Sequence, residues 1–199
     1  MNITRDTLLA AIDRITAAME RDFEMLNAAD GALGDGDLGV TMARGMRAIT
    51  QMKEELPEDI GMALLQCAQA FTKTSGSSYG TLMATGLMSA AKTLRGAQVI
   101  EPASIPELIA GARDKMQARG KAELGGKTVL DSLDYIVRAT ADGDDKARAA
   151  AQAVDKALDD FRDKPATVGR ARIFGDKSIG LDDPGMLAMQ SIIKAATGS

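Results

Sequence analysis

Asp30, Asp35 and Asp37 share one stretch of ten residues, DGALGDGDLG, with four glycines. Carboxylate oxygens at such spacing are ligands for a hard divalent cation such as magnesium or calcium. A buried core has no use for three acids, and a helix interior disfavours that many glycines. The stretch therefore predicts a pliable loop that holds a cation. Two of the acids also have an ordinary reading, Asp37 as a helix N-cap and Asp30 as a polar residue at a helix end. An EF-hand does not fit: Asp35 and Asp37 match its first and third positions, but Gly39 and Met46 replace the later acids.

Three further connections share this character: SGSSYG at 75–80, GKAELGGK at 120–127, and the long RDKPATVGRARIFGDKSIGLDD at 162–183. Taken alone, SGSSYG reads equally well as a flexible turn. Gly126-Lys127-Thr128 suggests a phosphate-binding P-loop, but Lys121 stands where that loop needs glycine and a helix, not a strand, precedes it. Arg170 is an ordinary solvated charge by itself, and a forked partner for phosphate if it sits near one.

The rest of the composition narrows the chemistry. The 199 residues contain no histidine, which removes the commonest general base, a common metal ligand and any Ser-His or Cys-His nucleophile. Cys67 is the lone cysteine, among apolar neighbours, so it reads as a core residue in a reducing, cytoplasmic setting. A net charge of -4 with no basic stripe argues against nucleic acid. No signal-peptide core or membrane-length apolar run is seen. Aromatics make up 3% of the chain against 45% apolar residues overall, which favours helices with an aliphatic interior. With no Pro/Ser-rich linker, residues 1–199 read as one domain.

Periodicity supplies the elements that must carry these loops. Leu8, Ile12, Ile15, Met19, Phe23 and Leu26 predict one helix over 4–29. Further helices are predicted over 38–52, 59–71, 78–94, 105–119, 128–139 and 144–161, the fifth opening on a Ser104–Glu107 capping box. The eighth begins at Pro184 with Asp183 as N-cap. ARIF, 171–174, is the one short strand candidate. The long connection before the last helix suggests a lid or a docked segment.

The expected fold is thus all-α, an eight-helix antiparallel up-and-down bundle or barrel with a nucleotide site at one end. Alternate connections in such a fold lie at the same end. The glycine-rich ones are the first, third, fifth and seventh, so they should meet at one rim together with four helix N-termini. Each end brings unpaired N–H groups and roughly half a positive charge, and together they form a cradle for phosphate. A nucleotide diphosphate at roughly -3 beside three carboxylates needs about two Mg²⁺ to bring the sum near -2.

In order along the chain, GDGDLGVTMARG, TSGSSYGTLMATG, RGKAELGGKTVLDSL and GRARIFGDKSIGLDDPG resemble the nucleotide-binding subunit of dihydroxyacetone kinase over almost the whole length. The resemblance implies a helical barrel binding Mg-ADP or Mg-ATP, with a separate subunit holding dihydroxyacetone covalently on a histidine. It implies that Asp30, Asp35 and Asp37 bind two magnesium ions, and that Leu38, Gly39, Val40 and Thr41 line the phosphates. Thr74 and Ser75 match the Gly/Ser loop, Gly120 and Val129 the adenine and ribose positions, and Arg170 a phosphate contact. Asp183, Pro184 and Gly185 match the final nucleotide-binding turn.

Leu38, and often Leu181, stand where the family has histidine; Thr41 replaces an asparagine, and TKTSGSSYG lacks a double glycine. The expected function is phosphoryl transfer to dihydroxyacetone or a related short ketose on a partner subunit. The phosphate would come from ATP or from a phosphocarrier protein of a phosphoenolpyruvate system that recharges bound ADP. A non-catalytic nucleotide sensor of the same fold is the alternative. A purely structural bundle whose acidic loop binds calcium or nothing is a third reading.

Overall fold

Leu8, Ile12, Ile15 and Met19 fall on one face of α1 (Arg5–Arg21) and turn it inward, while Thr7 Oγ1 accepts from the Thr4 amide at 2.7 Å to close its first turn. The computed structural model describes residues 2–74 and 76–199. Among the described residues eight more α-helices follow, one more than the periodicity predicts. The predicted first helix is broken, however, into α1 and α2 (Phe23–Leu33) at Asp22. Asp22 leaves helical geometry at φ -91°, ψ 4°, and Arg21 holds its carboxylate through two 2.8 Å hydrogen bonds. The apolar spacing runs through the break undisturbed, so periodicity alone cannot see it.

The later helices are α3 (Leu38–Met52), α4 (Ile60–Thr74), α5 (Ser78–Thr93), α6 (Ile105–Gly120), α7 (Val129–Ala141), α8 (Lys146–Arg162) and α9 (Pro184–Thr197). From α3 onward each helix packs against the next; α9 packs against α8 and closes the ring on α1. The result is an all-α barrel of antiparallel rods, as expected. Among the described residues, no helix is long and apolar enough to cross a membrane.

Met19, Leu26, Met42 and Phe71 fill one side of the interior, and Met116, Leu130, Ile136 and Val154 the other. Tyr79 and Met83 of α5 touch both groups and join them. The interior is aliphatic and methionine-rich, as the scarcity of aromatics implies.

Three local expectations are corrected. ARIF is no strand: Ala171–Ser178 forms 3₁₀ turns interrupted by Gly175 at φ +51°. The strand pairing among the described residues is a two-residue antiparallel ladder, Ile3–Thr4 (β1) against Val99–Ile100 (β2), too short to leave an alternating pattern. Ser104 precedes α6 but makes no cap bond to it, because the residue is already in a 3₁₀ turn and its hydroxyl donates to Glu101 O at 2.8 Å. A capping box forms instead at Thr128–Asp131.

The links between rods alternate from end to end. At one end the Asp59 carboxylate accepts from Gly96 N at 2.9 Å and Arg5 donates to Leu56 O at 2.6 Å, joining the plainer connections. At the other end the glycine-rich connections border a common cleft.

Candidate functional site

The cleft has a volume of about 380 Å³, within the range for a small-molecule site. It collects the N-termini of α3, α5, α7 and α9, contributed by four connections far apart in sequence. Four helix ends facing one space favour an anionic ligand.

Asp30, in the last turn of α2, has its Oδ2 turned back to accept from Asp37 N at 2.9 Å and Leu38 N at 3.3 Å. It thereby does the capping work expected of Asp37. The Asp37 side chain, though at the N-cap position of α3, makes no cap bond. Gly34 is needed for this turn: a Cβ there would lie 2.5 Å from Asp30 Oδ1. One carboxylate oxygen from each of Asp30, Asp35 and Asp37 lies within 4.8 Å of the others. That spacing fits a divalent cation held by oxygen ligands, and Asp37 keeps both of its oxygens for one.

Arg170 crosses from the long connection to form an ion pair with Asp35. Two segments far apart in sequence therefore touch, as a common mouth requires. The guanidinium holds the Asp35 carboxyl below its usual range. Burial pushes Asp37 up, and the charges of Asp35 and Asp30 push the same way. A cation would relieve that repulsion and drive off any proton on Asp37.

The remaining expected residues are distributed as follows. Leu38, Val40 and Thr41 at the start of α3, Thr74 at the end of α4 and Val129 at the start of α7 line the cleft. So do Asp183, Pro184 and Gly185 at the start of α9. Ser75 lies outside the described residues. Gly39 and Gly120 do not line it. Gly39 is buried against α2, where a methyl would strike the Phe23 carbonyl oxygen, so its small size serves helix packing. Gly120 stands behind the wall, where a Cβ would meet Leu82 Cδ2 at 3.5 Å.

Arg44 and Tyr79 also line the cleft, and neither was singled out from sequence. Arg44 lies one turn beyond Val40 on α3, a spacing that could have revealed it. Tyr79 hides in SGSSYG; its hydroxyl donates to Gly185 O at 3.0 Å and ties α5 to the first turn of α9. Lys127, the lysine of the apparent P-loop, is 1% exposed and donates to three backbone carbonyls, so no N–H remains for phosphate.

Asp183 caps α9 by accepting from Met186 N at 2.9 Å, yet burial pushes its carboxyl up to about 7. Unfolded, an aspartate titrates near 3.9, so between about pH 4 and 7 the folded chain holds a proton that the unfolded chain has lost. Stability should therefore fall as pH rises through that window and level off above it. Asp183→Asn keeps the acceptor and removes the charge. Its unfolding free energy in urea should stay nearly flat from pH 5 to 8, ending above the parent by on the order of 2 kcal/mol after solvent screening. Because the chain has no histidine, few other side chains titrate there. Parallel slopes for the two proteins would remove Asp183 as the cause.

A family model described as DAK2 domain matches residues 32–198. The chain is 27% identical over 186 residues to the PEP-dependent dihydroxyacetone kinase 1, ADP-binding subunit DhaL, of Listeria innocua, covering 93% of this chain and 91% of that protein. It is 29% identical over 174 residues to the L-erythrulose 1-kinase of Mycolicibacterium smegmatis, covering 83% of this chain and 30% of that longer protein. The dihydroxyacetone kinase from C. freundii, solved in complex with AMP-PNP and Mg²⁺, shares the fold with a TM-score of 0.79 at 22% identity. That likeness covers 100% of this chain and 34% of the solved one.

Proposed function

The chain belongs to the DAK2-domain family, and on that premise we propose that residues 1–199 form the nucleotide-binding subunit of a kinase for dihydroxyacetone or a related short ketose. What carries the reading is the acidic mouth: Asp37 left uncapped, Asp30 and Asp35 beside it, and Arg170 facing them across the cleft. Kinase relatives with this domain act on more than one ketose by name, dihydroxyacetone and L-erythrulose, so the domain suits a class of acceptors.

In this reading Asp30, Asp35 and Asp37 would hold two magnesium ions, which would supply positive charge to offset that on the transferring group. Leu38, Val40 and Thr41 border the diphosphate, and the N-terminal ends of α3, α5, α7 and α9 favour its charge. Val129 borders the base and ribose. Arg170 adds a forked donor for a phosphate oxygen. The chain has no histidine and supplies no covalent nucleophile; it positions and stabilises, and the acceptor hydroxyl arrives on a partner subunit. The phosphate is renewed from ATP or from a phosphocarrier protein.

Saturating ADP with Mg²⁺, at about a hundred times its dissociation constant, should add roughly 2.7 kcal/mol of stability. For a chain of this size that raises the melting temperature by about 5–10 °C. ADP with EDTA should give much less, and no shift with either would reject the reading. Phosphoryl transfer to dihydroxyacetone or erythrulose, assayed with a substrate-binding kinase subunit, then tests turnover.

A second reading, a nucleotide sensor without turnover, is favoured by one observation. Leu38 is buried at the cleft and Leu181 is exposed nearby, so neither position offers a polar group to a substrate or partner. Binding of Mg-ADP without transfer to either ketose would select it.

A further inference from the structure

Lys127 is an unusual residue to bury. It is 1% exposed, and its backbone adopts a left-handed φ of +62°, which side chains other than glycine rarely take. A buried ammonium is costly unless every N–H finds an acceptor. Here all three do: Nζ donates to Arg162 O at 2.9 Å, Lys164 O at 2.8 Å and Ser178 O at 2.8 Å.

Those three carbonyls stand at the two ends of the span 165–177, and Arg170 lies within that span. Other bonds converge on the same knot. Thr167 N donates to Gly126 O at 3.2 Å, Gly180 N to Arg162 O at 2.8 Å, and Ala166 N to Ser178 Oγ at 2.7 Å. The next residue, Thr128, caps α7 and lines the cleft. One amine therefore ties the floor of the cleft to both feet of the segment that reaches over it. Within the span, Ala166, Ala171 and Phe174 also pack on Leu33 of α2, and Arg170 pairs with Asp35.

We propose that Lys127 is a positioning residue, which holds both feet of the span 165–177 so that the guanidinium of Arg170 stands opposite the carboxylates of the cleft. It touches neither ligand nor reacting atoms. It acts through Arg170, and the inference rests on the nucleotide-binding role proposed above.

The test is a double-mutant cycle on the full chain, with Lys127→Met, Arg170→Ala and the double variant titrated with Mg-ADP by calorimetry. Trypsin digestion of the nucleotide-free proteins runs alongside. Lys127→Met is expected to weaken Mg-ADP by at least about tenfold, the size of one charge-assisted contact. In the Arg170→Ala background the same change should cost less than about twofold, because the contact it positions is already gone. Trypsin should cut Lys127→Met after Arg170, Arg172 and Lys177, all exposed, well before the helices are cut.

Parent-like affinity in a folded Lys127→Met, or a loss that is the same in both backgrounds, would overturn the proposal. Should Lys127→Met not fold, Ser178→Ala carries the cycle, since it removes the hydroxyl that accepts from Ala166 N and so joins the two feet. The same loss and the same non-additivity are then expected, and their absence counts against the pin. If the parent chain itself fails to bind Mg-ADP, the nucleotide reading has failed. The pin is then judged on trypsin alone, and equal cleavage of 170–177 in parent and variant would reject it.

Discussion

Asp37→Asn should abolish magnesium-dependent ADP binding while leaving the ligand-free protein at least as stable as the parent. Groups that only orient a metal ligand are worth about ten- to a hundredfold in affinity. Removing a ligand with both oxygens uncommitted should cost more than about a hundredfold. Without ligand the sign is reversed. Asp37 is held above its ordinary range by burial and by the charges of Asp35 and Asp30, so neutralising it removes a repulsion. No backbone amide of α3 depends on its side chain, since Asp30 accepts from the Asp37 and Leu38 amides. Asp35→Ala should also lose metal dependence. It releases Arg170 from its ion pair, so weak binding of ADP that ignores EDTA can survive in that variant and not in Asp37→Asn. Calorimetric titration with ADP, with and without Mg²⁺, reads both outcomes, and circular dichroism checks that helicity is kept. Undiminished binding by both variants would remove the acidic mouth from the site.

Gly39→Ala should cost about 3 kcal/mol or more, lowering the melting temperature by roughly 6–12 °C. A methyl at this position would strike the Phe23 carbonyl oxygen and lie 2.8 Å from Asn27 Oδ1. Neither neighbour can retreat easily. Phe23 opens α2, and Asn27 Oδ1 already accepts from Val40 N at 3.3 Å. The first turn of α3 would be pushed away from α2, carrying Asp37 and Leu38 with it and opening the turn that Asp30 caps. Mg-ADP affinity should therefore fall together with stability. Gly76→Ala is the control: a Cβ there meets nothing within 4 Å, and the expected effect is under about 0.5 kcal/mol. Thermal melts of the two variants decide the matter. Equal melting temperatures would show that Gly39 does not hold the two helices together.

These two residues also show what a sequence discloses and what it withholds. The acids of the cleft were legible because three carboxylates among four glycines contradict both core and helix. Their meeting with Arg170 followed from counting: in an up-and-down barrel alternate links share an end, whatever their distance in sequence. The packing of Gly39 on α2 is not legible, because a glycine that lets a ligand approach and one that lets a helix approach look identical in a string of letters. The break at Asp22 left no trace because the inward face is continuous from Met19 to Phe23 and Leu26. Lys127 was the hardest to read. Its partners are backbone carbonyls, which every residue carries, so no pattern of side chains could announce them. Ser104 carries the opposite lesson: the spacing of a capping box is present, but a 3₁₀ turn upstream already engages the hydroxyl.

The most direct measurement is a crystal structure of the chain grown with ADP and Mn²⁺ in place of magnesium, with manganese located by its anomalous scattering. Manganese between Asp30, Asp35 and Asp37, with the diphosphate oxygens completing its coordination and Arg170 turned toward phosphate, is the predicted result. Manganese elsewhere, or ADP bound away from the N-termini of α3 and α9, would contradict the account.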